Sequence, residues 1–215
     1  RVIVGGTDSL SAFTINGFSS LMIYSDEHCQ PFDEERKGLN LGEAAAYIVL
    51  ESEKSVGNKK VLGFLAGYGN ANDAFHQTAS SDDGEGAYLA MKTALEIADL
   101  KPEVIDYVNA HGTATPNNDF SEGKSLSRIF ERIPDFSSTK AFTGHTLAAA
   151  GAVEAVFSLL ALKNQKVFAN LNWKTPMKEF DLKPQTEIKS KEINTVLSNS
   201  LGFGGNCSCL IFQKV

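Results

Sequence analysis

Cysteine is scarce in this chain: there are three among 215 residues, Cys29, Cys207 and Cys209. Thiols so few and so unevenly spaced cannot form the disulfide framework of a small secreted domain, and reduced cytoplasmic thiols are the expectation. The Cys207-x-Cys209 pair falls in a run that reads as a strand, whose successive side chains point to opposite faces, so no metal is expected there. Basic charge is also short. Twenty Lys and Arg against 26 Asp and Glu give a net charge of −6, which argues against nucleic acid as the main partner. No stretch approaches the roughly 18 to 20 uninterrupted apolar residues of a membrane span, so a soluble protein off the membrane is expected. Low-complexity tracts and short-period repeats are missing as well. What is present, 42% hydrophobic and 21% charged residues, is ordinary globular composition with ample material for a core.

Arg1 opens directly into Val2-Ile-Val-Gly-Gly6, an apolar run that reads as a buried strand. A core strand at the first residue implies neighbours upstream, so a piece of a larger protein is expected. A rough helical pattern over Ser9 to Tyr24 follows, then a polar loop to Lys37 and a short strand at Tyr47–Leu50. Gly57-Asn-Lys-Lys60 is the natural internal boundary, which divides the chain into residues 1–58 and 59–215.

Beyond it the order is regular. A strand at Val61–Tyr68 leads to a helix from about Asp83 to Leu100, capped by Ser81 or Asp82, and a strand at Val104–Asn109. A helix at Asp119–Arg132, a strand at Ser138–Ala141 and a long helix from about His145 to Leu162 come next. Strands near Thr195–Asn199 and Cys207–Gln213 close the chain. Alternating strands and helices predict an α/β fold with a mainly parallel sheet and a final antiparallel pair.

Three segments at strand ends, where α/β proteins build their sites, carry chemistry. In Val108-Asn-Ala-His-Gly-Thr-Ala-Thr-Pro116, His111 sits at a strand's carboxyl end, either as a turn cap or as a ligand-facing group. In the run from Ser138 to Glu154, His145 lies at a helix start, where the macrodipole keeps the ring neutral and able to donate one N–H to an oxyanion. Glu154 is the one charge between Thr146 and Leu162, and a carboxylate in so apolar a helix needs a partner, for which Lys140 on the adjoining strand is the candidate. Gly202-Phe-Gly-Gly205 offers a backbone that can approach a ligand and move, with Phe203 as a plug.

Taken together, these segments resemble the C-terminal part of a β-ketoacyl-acyl-carrier-protein synthase, the condensing enzyme of fatty acid and polyketide synthesis, over essentially the whole chain. His111 in Asn-Ala-His-Gly-Thr-x-Thr-Pro and His145 in Lys-x-x-x-Gly-His-x-x-x-Ala-Ala-Gly match the family's two catalytic histidines. Lys140 and Glu154 match their supporting lysine and glutamate. Phe203, between Gly202 and Gly204, matches the residue that gates the acyl pocket, and Thr113 and Thr115 match the pair lining the pantetheine channel. The resemblance implies a thiolase-like α/β fold of two similar βαβαβαββ halves in five α/β/α/β/α layers, and normally a homodimer. The chain would hold the end of the first half and the second half entire. It implies decarboxylative condensation of malonyl-carrier with an acyl-enzyme, with acyl carrier protein as partner and no redox cofactor or catalytic metal. A structural cation near the residues matching Asn109, Ala110, Ser198 and Asn199 is a family feature.

Two departures stand out. The family's nucleophilic cysteine lies upstream of the strand matching Val2–Gly6, and none of the three cysteines here has its context, so this chain alone is expected to form no acyl-enzyme. A basic residue that bacterial members often use to grip the carrier is replaced by the acidic loop Ser25-Asp-Glu-His28, and Ala44-Ala-Ala46 stands where a glycine-containing run is usual. The alternative reading is a non-catalytic partner like the chain-length factors of polyketide systems. Retention of both histidines, Lys140 and Phe203 speaks against it. A thiolase without decarboxylation is the weaker third, because those enzymes usually replace one histidine of the pair.

Overall fold

A computed structural model describes all 215 residues. In chain order the elements are β1 (Val2–Asp8), α1 (Ala12–Ser20), β2 (Ala44–Leu50), the single turn α2 (Glu53–Val56), β3 (Phe64–Asn72), α3 (Glu85–Ala98), β4 (Tyr107–Asn109) and α4 (Pro116–Ile129). Then come β5 (Asp135–Ser137), the single turn α5 (Lys140–Thr143), α6 (Ala150–Asn164), the short pair β6 (Lys166–Val167) and β7 (Lys189–Ser190), β8 (Thr195–Gly202) and β9 (Asn206–Gln213). Five strands form the main sheet in the order β3-β9-β8-β4-β5. Only the β4–β5 and β4–β8 pairs are parallel; the β8–β9 hairpin and the β3–β9 pair are antiparallel. The sheet is therefore mixed rather than mainly parallel, because the chain turns back on itself through the Phe203 turn and β3 then adds to the hairpin's far side.

Strand alternation sorts the core onto the two faces of this sheet. Val108, Leu197 and Ile211 pack beneath α3 and α4 with Ala90, Met91, Ala94 and Leu126. Their neighbours Tyr107, Val196 and Phe212 point the other way, onto Ala155, Leu159 and Leu162 of α6. The antiparallel β1–β2 pair covers the far side of α6, giving the layer order α3 and α4, sheet, α6, β1–β2 pair. Burial between two sheets explains why α6 is apolar nearly all round. Leu147–Asn164 has the length and mean hydropathy (1.4) of a membrane-spanning helix, and here those properties belong to an interior helix with a buried glutamate.

Several boundaries shift for local reasons. Helix α4 starts at Pro116, earlier than the pattern suggested, because Thr115 Oγ1 accepts the Asn118 N–H and proline suits the first helical position. The cap of α3 is Gly84 in the left-handed conformation rather than Ser81 or Asp82, although Ser81 Oγ still accepts the Glu85 N–H. The strand expected at Ser138–Ala141 ends at Ser137, and Lys140 opens α5 instead. His145 lies outside α6, which is entered through a 3₁₀ turn at Leu147–Ala149. Cys207 and Cys209, two residues apart, share one face of β9 with Ile211 in the same apolar cluster, rather than opposite faces. Burial pushes the Cys207 thiol up to about 12 and that of Cys209 higher still.

Candidate active site

The site assembles at the carboxyl ends of the parallel strands β4, β5 and β8. His111 follows β4 and is 3% exposed. Its backbone N–H and that of Gly112 both donate to the carboxylate of Glu122, at 2.8 Å each. Gly112 has φ +41 and lies so close to Ser138 that a Cβ there would collide with it, and Ser138 Oγ donates to the Gly112 carbonyl at 2.8 Å. The histidine is thus held by its backbone from below and from the side. One turn earlier on α4, buried Asp119 accepts the N–H groups of Phe32 and Ala114. Burial pushes the Glu122 carboxyl up to about 7, although the two backbone N–H groups and Asn199 oppose the rise.

Lys140 Nζ is the hub of the other side chains. It donates to Glu154 Oε1, to the His111 carbonyl at 2.6 Å and to His111 Nδ1 at 3.2 Å. Lysine and glutamate are each 2% exposed, and Ser200 Oγ supports the second carboxylate oxygen. Burial pushes the Glu154 carboxyl up, and the ammonium beside it pulls it back. An ammonium has only donors, so His111 Nδ1 accepts and the proton of the neutral ring sits on Nε2.

The second imidazole reaches the same state by another route. His145 is fixed by a ladder with the 40–42 segment: its N–H donates to the Asn40 carbonyl at 2.7 Å, and the Gly42 N–H donates to its carbonyl at 3.1 Å. Its Nδ1 accepts the Leu147 N–H at 3.2 Å, and Leu147 adopts φ +49, a left-handed conformation unusual for a branched residue, in delivering that N–H. Nε2 again carries the hydrogen. The two rings meet edge to face, with centroids 5.2 Å apart and planes at 86°. Burial and then the Lys140 charge hold His145 down at about 3, and burial, Lys140 and His145 hold His111 well below the ordinary 6.5. Neutrality at His145 therefore comes from burial and a neighbouring cation rather than from a helix start.

Both rings line a cavity of about 500 Å³. Thr113 and Thr115 line it too, with their hydroxyls 2.9 Å apart, and so do Gly202 and Phe203. Gly204, with φ +79, forms the turn behind Phe203, whose ring is half exposed and stacks on Phe18 of α1 at 5.7 Å. All nine residues named from the sequence are thus brought to one place. None of the three cysteines lines the cavity, and all three are buried with thiols pushed up by burial. The Ser25–His28 loop carries its charge at the surface, where Glu27 pairs with Lys37 at 2.9 Å.

Asp119 and Glu122 are the carboxylates beneath the site that sequence reasoning missed. Their spacing with Leu126, three and then four residues on, places all three on one helix face, and that was the available signal. Asn109 Oδ1 is buried without a hydrogen-bond partner, and its residue pairs with Ser198 across β4 and β8. An unpartnered oxygen there fits the cation implied by the resemblance, with Asn109, Ser198 and Asn199 as its holders, and the ion's contribution would be to tie β4 to β8. Gly42 is the tightest point of the His145 ladder, since a Cβ would stand 1.9 Å from the Thr143 carbonyl oxygen. Gly42→Ala is expected to cost about 1–3 kcal/mol, read as a lower melting temperature, and to lower activity by displacing His145. A melting temperature equal to wild type would show that the ladder yields without strain.

The family model for the β-ketoacyl synthase C-terminal domain matches residues 62–174, and that for the N-terminal domain matches residues 1–55. The chain belongs to the β-ketoacyl synthase family. It is 38% identical to 3-oxoacyl-[acyl-carrier-protein] synthase 2 of Staphylococcus aureus (strain COL), over 99% of this chain and 54% of the relative. It is 40% identical to the mitochondrial 3-oxoacyl-[acyl-carrier-protein] synthase of Arabidopsis thaliana, over 100% of this chain and 50% of the relative. Among solved structures, the ketosynthase ApeO in complex with its chain length factor ApeC from Xenorhabdus doucetiae matches with a TM-score of 0.88 and 37% identity, covering 99% of this chain and 53% of that one. The fold of this β-ketoacyl synthase chain is accordingly thiolase-like, and the chain spans about half the length of the curated relatives it matches.

Proposed function

We propose that this chain is the histidine-bearing part of a 3-oxoacyl-acyl-carrier-protein synthase, joined near residues 58 and 59 from the end of a first thiolase-like half to a complete second half. The observation that carries the reading is the pair of Nε2–H donors left free by Lys140 and by the Leu147 N–H, both on one cavity. In the proposed step the bond between the malonyl α-carbon and its carboxylate breaks and carbon dioxide leaves. The electron pair becomes an enolate whose charge rests on the thioester oxygen, where the two N–H groups donate. The enolate carbon then attacks the acyl thioester of a cysteine from outside these 215 residues, and the thiolate departs. His111 and His145 are the catalytic donors, with Lys140 and Glu154 positioning the first. Thr113, Thr115 and the turn of Gly202, Phe203 and Gly204 contact the entering arm. The partners are acyl- and malonyl-loaded carrier protein and a second copy of the full-length chain, and no redox cofactor takes part.

Neutral donors make a pH test decisive. With His145 depressed to about 3 and His111 also well below 6.5, carbon dioxide release from malonyl-carrier by the full-length protein should show no titration near 6.5. A rate that halves there in the wild type and still does so in Glu122→Gln, which removes the one nearby carboxyl pushed up to about 7, would overturn the assignment. The same depression acts on stability, because the unfolded chain takes up protons near 6.5 that the folded His145 refuses until about 3. Stability from this source is full above 6.5 and falls as pH drops from there toward 3.

A further inference from the structure

One wall of the histidine cavity is the loop between β3 and α3, tied down at three places. At its base the Asp73 carboxylate accepts the Ser81 N–H at 2.6 Å, the Ser81 hydroxyl at 2.7 Å and the Gly86 N–H at 3.2 Å. Along one side it holds the Phe203 turn: the Gly204 N–H donates to the Gln77 carbonyl at 2.7 Å, Asn72 Nδ2 to the Gly204 carbonyl at 2.8 Å, and the Asp73 N–H to the Gly205 carbonyl at 2.8 Å. The third tie is a side chain. Asn117 Oδ1 accepts the Ser80 N–H at 2.8 Å while its Nδ2 donates to the Ser80 carbonyl at 3.0 Å. A carboxamide is the group that offers one acceptor and one donor side by side, so it satisfies both backbone groups of a residue as a neighbouring strand would.

What Asn117 stands on gives this tie its meaning. It belongs to the first turn of α4, which Thr115 caps and which Asp119 and Glu122 bind to the backbone of Ala114, His111 and Gly112. That turn is bonded to the backbone that carries His111. Phe203, by contrast, is half exposed, stacks on Phe18, and has its turn bonded to the loop rather than to α4.

We infer that Asn117 is a positioning residue: it registers the Phe203 turn, through the Asn72–Ser81 loop, against the helix that holds His111, and so fixes the opening by which the substrate's thioester arm reaches the histidines. This rests on the function proposed above. A loop already in place spares the arm the ordering it would otherwise have to impose on binding, so the tie acts on substrate capture and leaves bond breaking alone.

The test uses Asn117→Ala in the full-length protein, with backbone hydrogen exchange and steady-state kinetics on malonyl-carrier. Exchange is expected to rise in the 73–81 loop and also at Gly204 across the turn, while the Glu122-held N–H groups of His111 and Gly112 keep their protection. The KM should rise about tenfold, the worth of two lost hydrogen bonds, with kcat within about twofold of wild type. Faster exchange in the loop with an unchanged Gly204, or a fall in kcat at constant KM, overturns the inference. If Asn117→Ala fails to fold, Ser80→Pro removes one of the two hydrogen bonds from the other side of the tie, with the same exchange pattern expected and a KM rise of about threefold. Exchange decides the coupling even if the protein releases no carbon dioxide, a result that would sink the proposed function instead.

Discussion

His145→Ala in the full-length protein is expected to cut carbon dioxide release from malonyl-carrier by a factor on the order of 10²–10³, the usual consequence of losing one preorganised donor to an oxyanion. Acylation of the nucleophilic cysteine proposed above should survive largely intact, because that step does not place an enolate between the two rings. The split follows from geometry: His145 is tethered through its backbone to Asn40 and Gly42 and through Nδ1 to Leu147, so its removal leaves the Lys140–Glu154–His111 group standing. Release of labelled carbon dioxide and mass-spectrometric detection of the acyl-enzyme read the two steps separately. Unchanged release would remove His145 from the reaction, and loss of both steps would mean that it holds the fold.

Lys140→Ala should do two things at once. It leaves Glu154 buried without its cation, and breaking a buried pair from one side typically costs about 3–5 kcal/mol. It also takes the donor from His111 Nδ1, freeing the ring to carry its proton on the wrong nitrogen, so decarboxylation should fall by a factor on the order of 10² or more. The double change Lys140→Met with Glu154→Gln separates these effects, because with no stranded charge most of the stability should return while decarboxylation stays low. Thermal melts of the three proteins beside their rates check the ordering. A single mutant that melts like wild type would show that Glu154 has another counter-charge or reaches water.

How much of this was legible in the sequence depended on how local each signal was. His111 and Phe203 sit among small residues at strand ends and His145 among small residues ahead of a helix, and the lone charge of Glu154 in an apolar helix calls for a buried partner. Lys140 was named as that partner, yet its element was misread: the run after Ser137 looks like a continuing strand, and only the long-range bonds of Ser138 to Gly112 and Asn170 show why the chain turns there. Asp119 and Glu122 were passed over because acidic residues in a helix's first turns ordinarily face solvent and favour the dipole. Their partners settle their role, and the Asp119 bond to the Phe32 N–H spans 87 residues of chain. The mixed sheet was hidden for the same reason, since the pairing of β3 with β9 joins segments that no short window contains.

The two imidazoles owe their shared tautomer to unequal guardians. His111 depends on a side chain, and one codon change at Lys140 removes it. His145 depends on a main-chain N–H, which every residue at position 147 supplies except proline, which has none and whose ring also cannot adopt the φ of +49 found there. Descent with loss of activity therefore has a preferred route: position 140 should drift first, and position 147 should keep its duty long after the other histidine has been released.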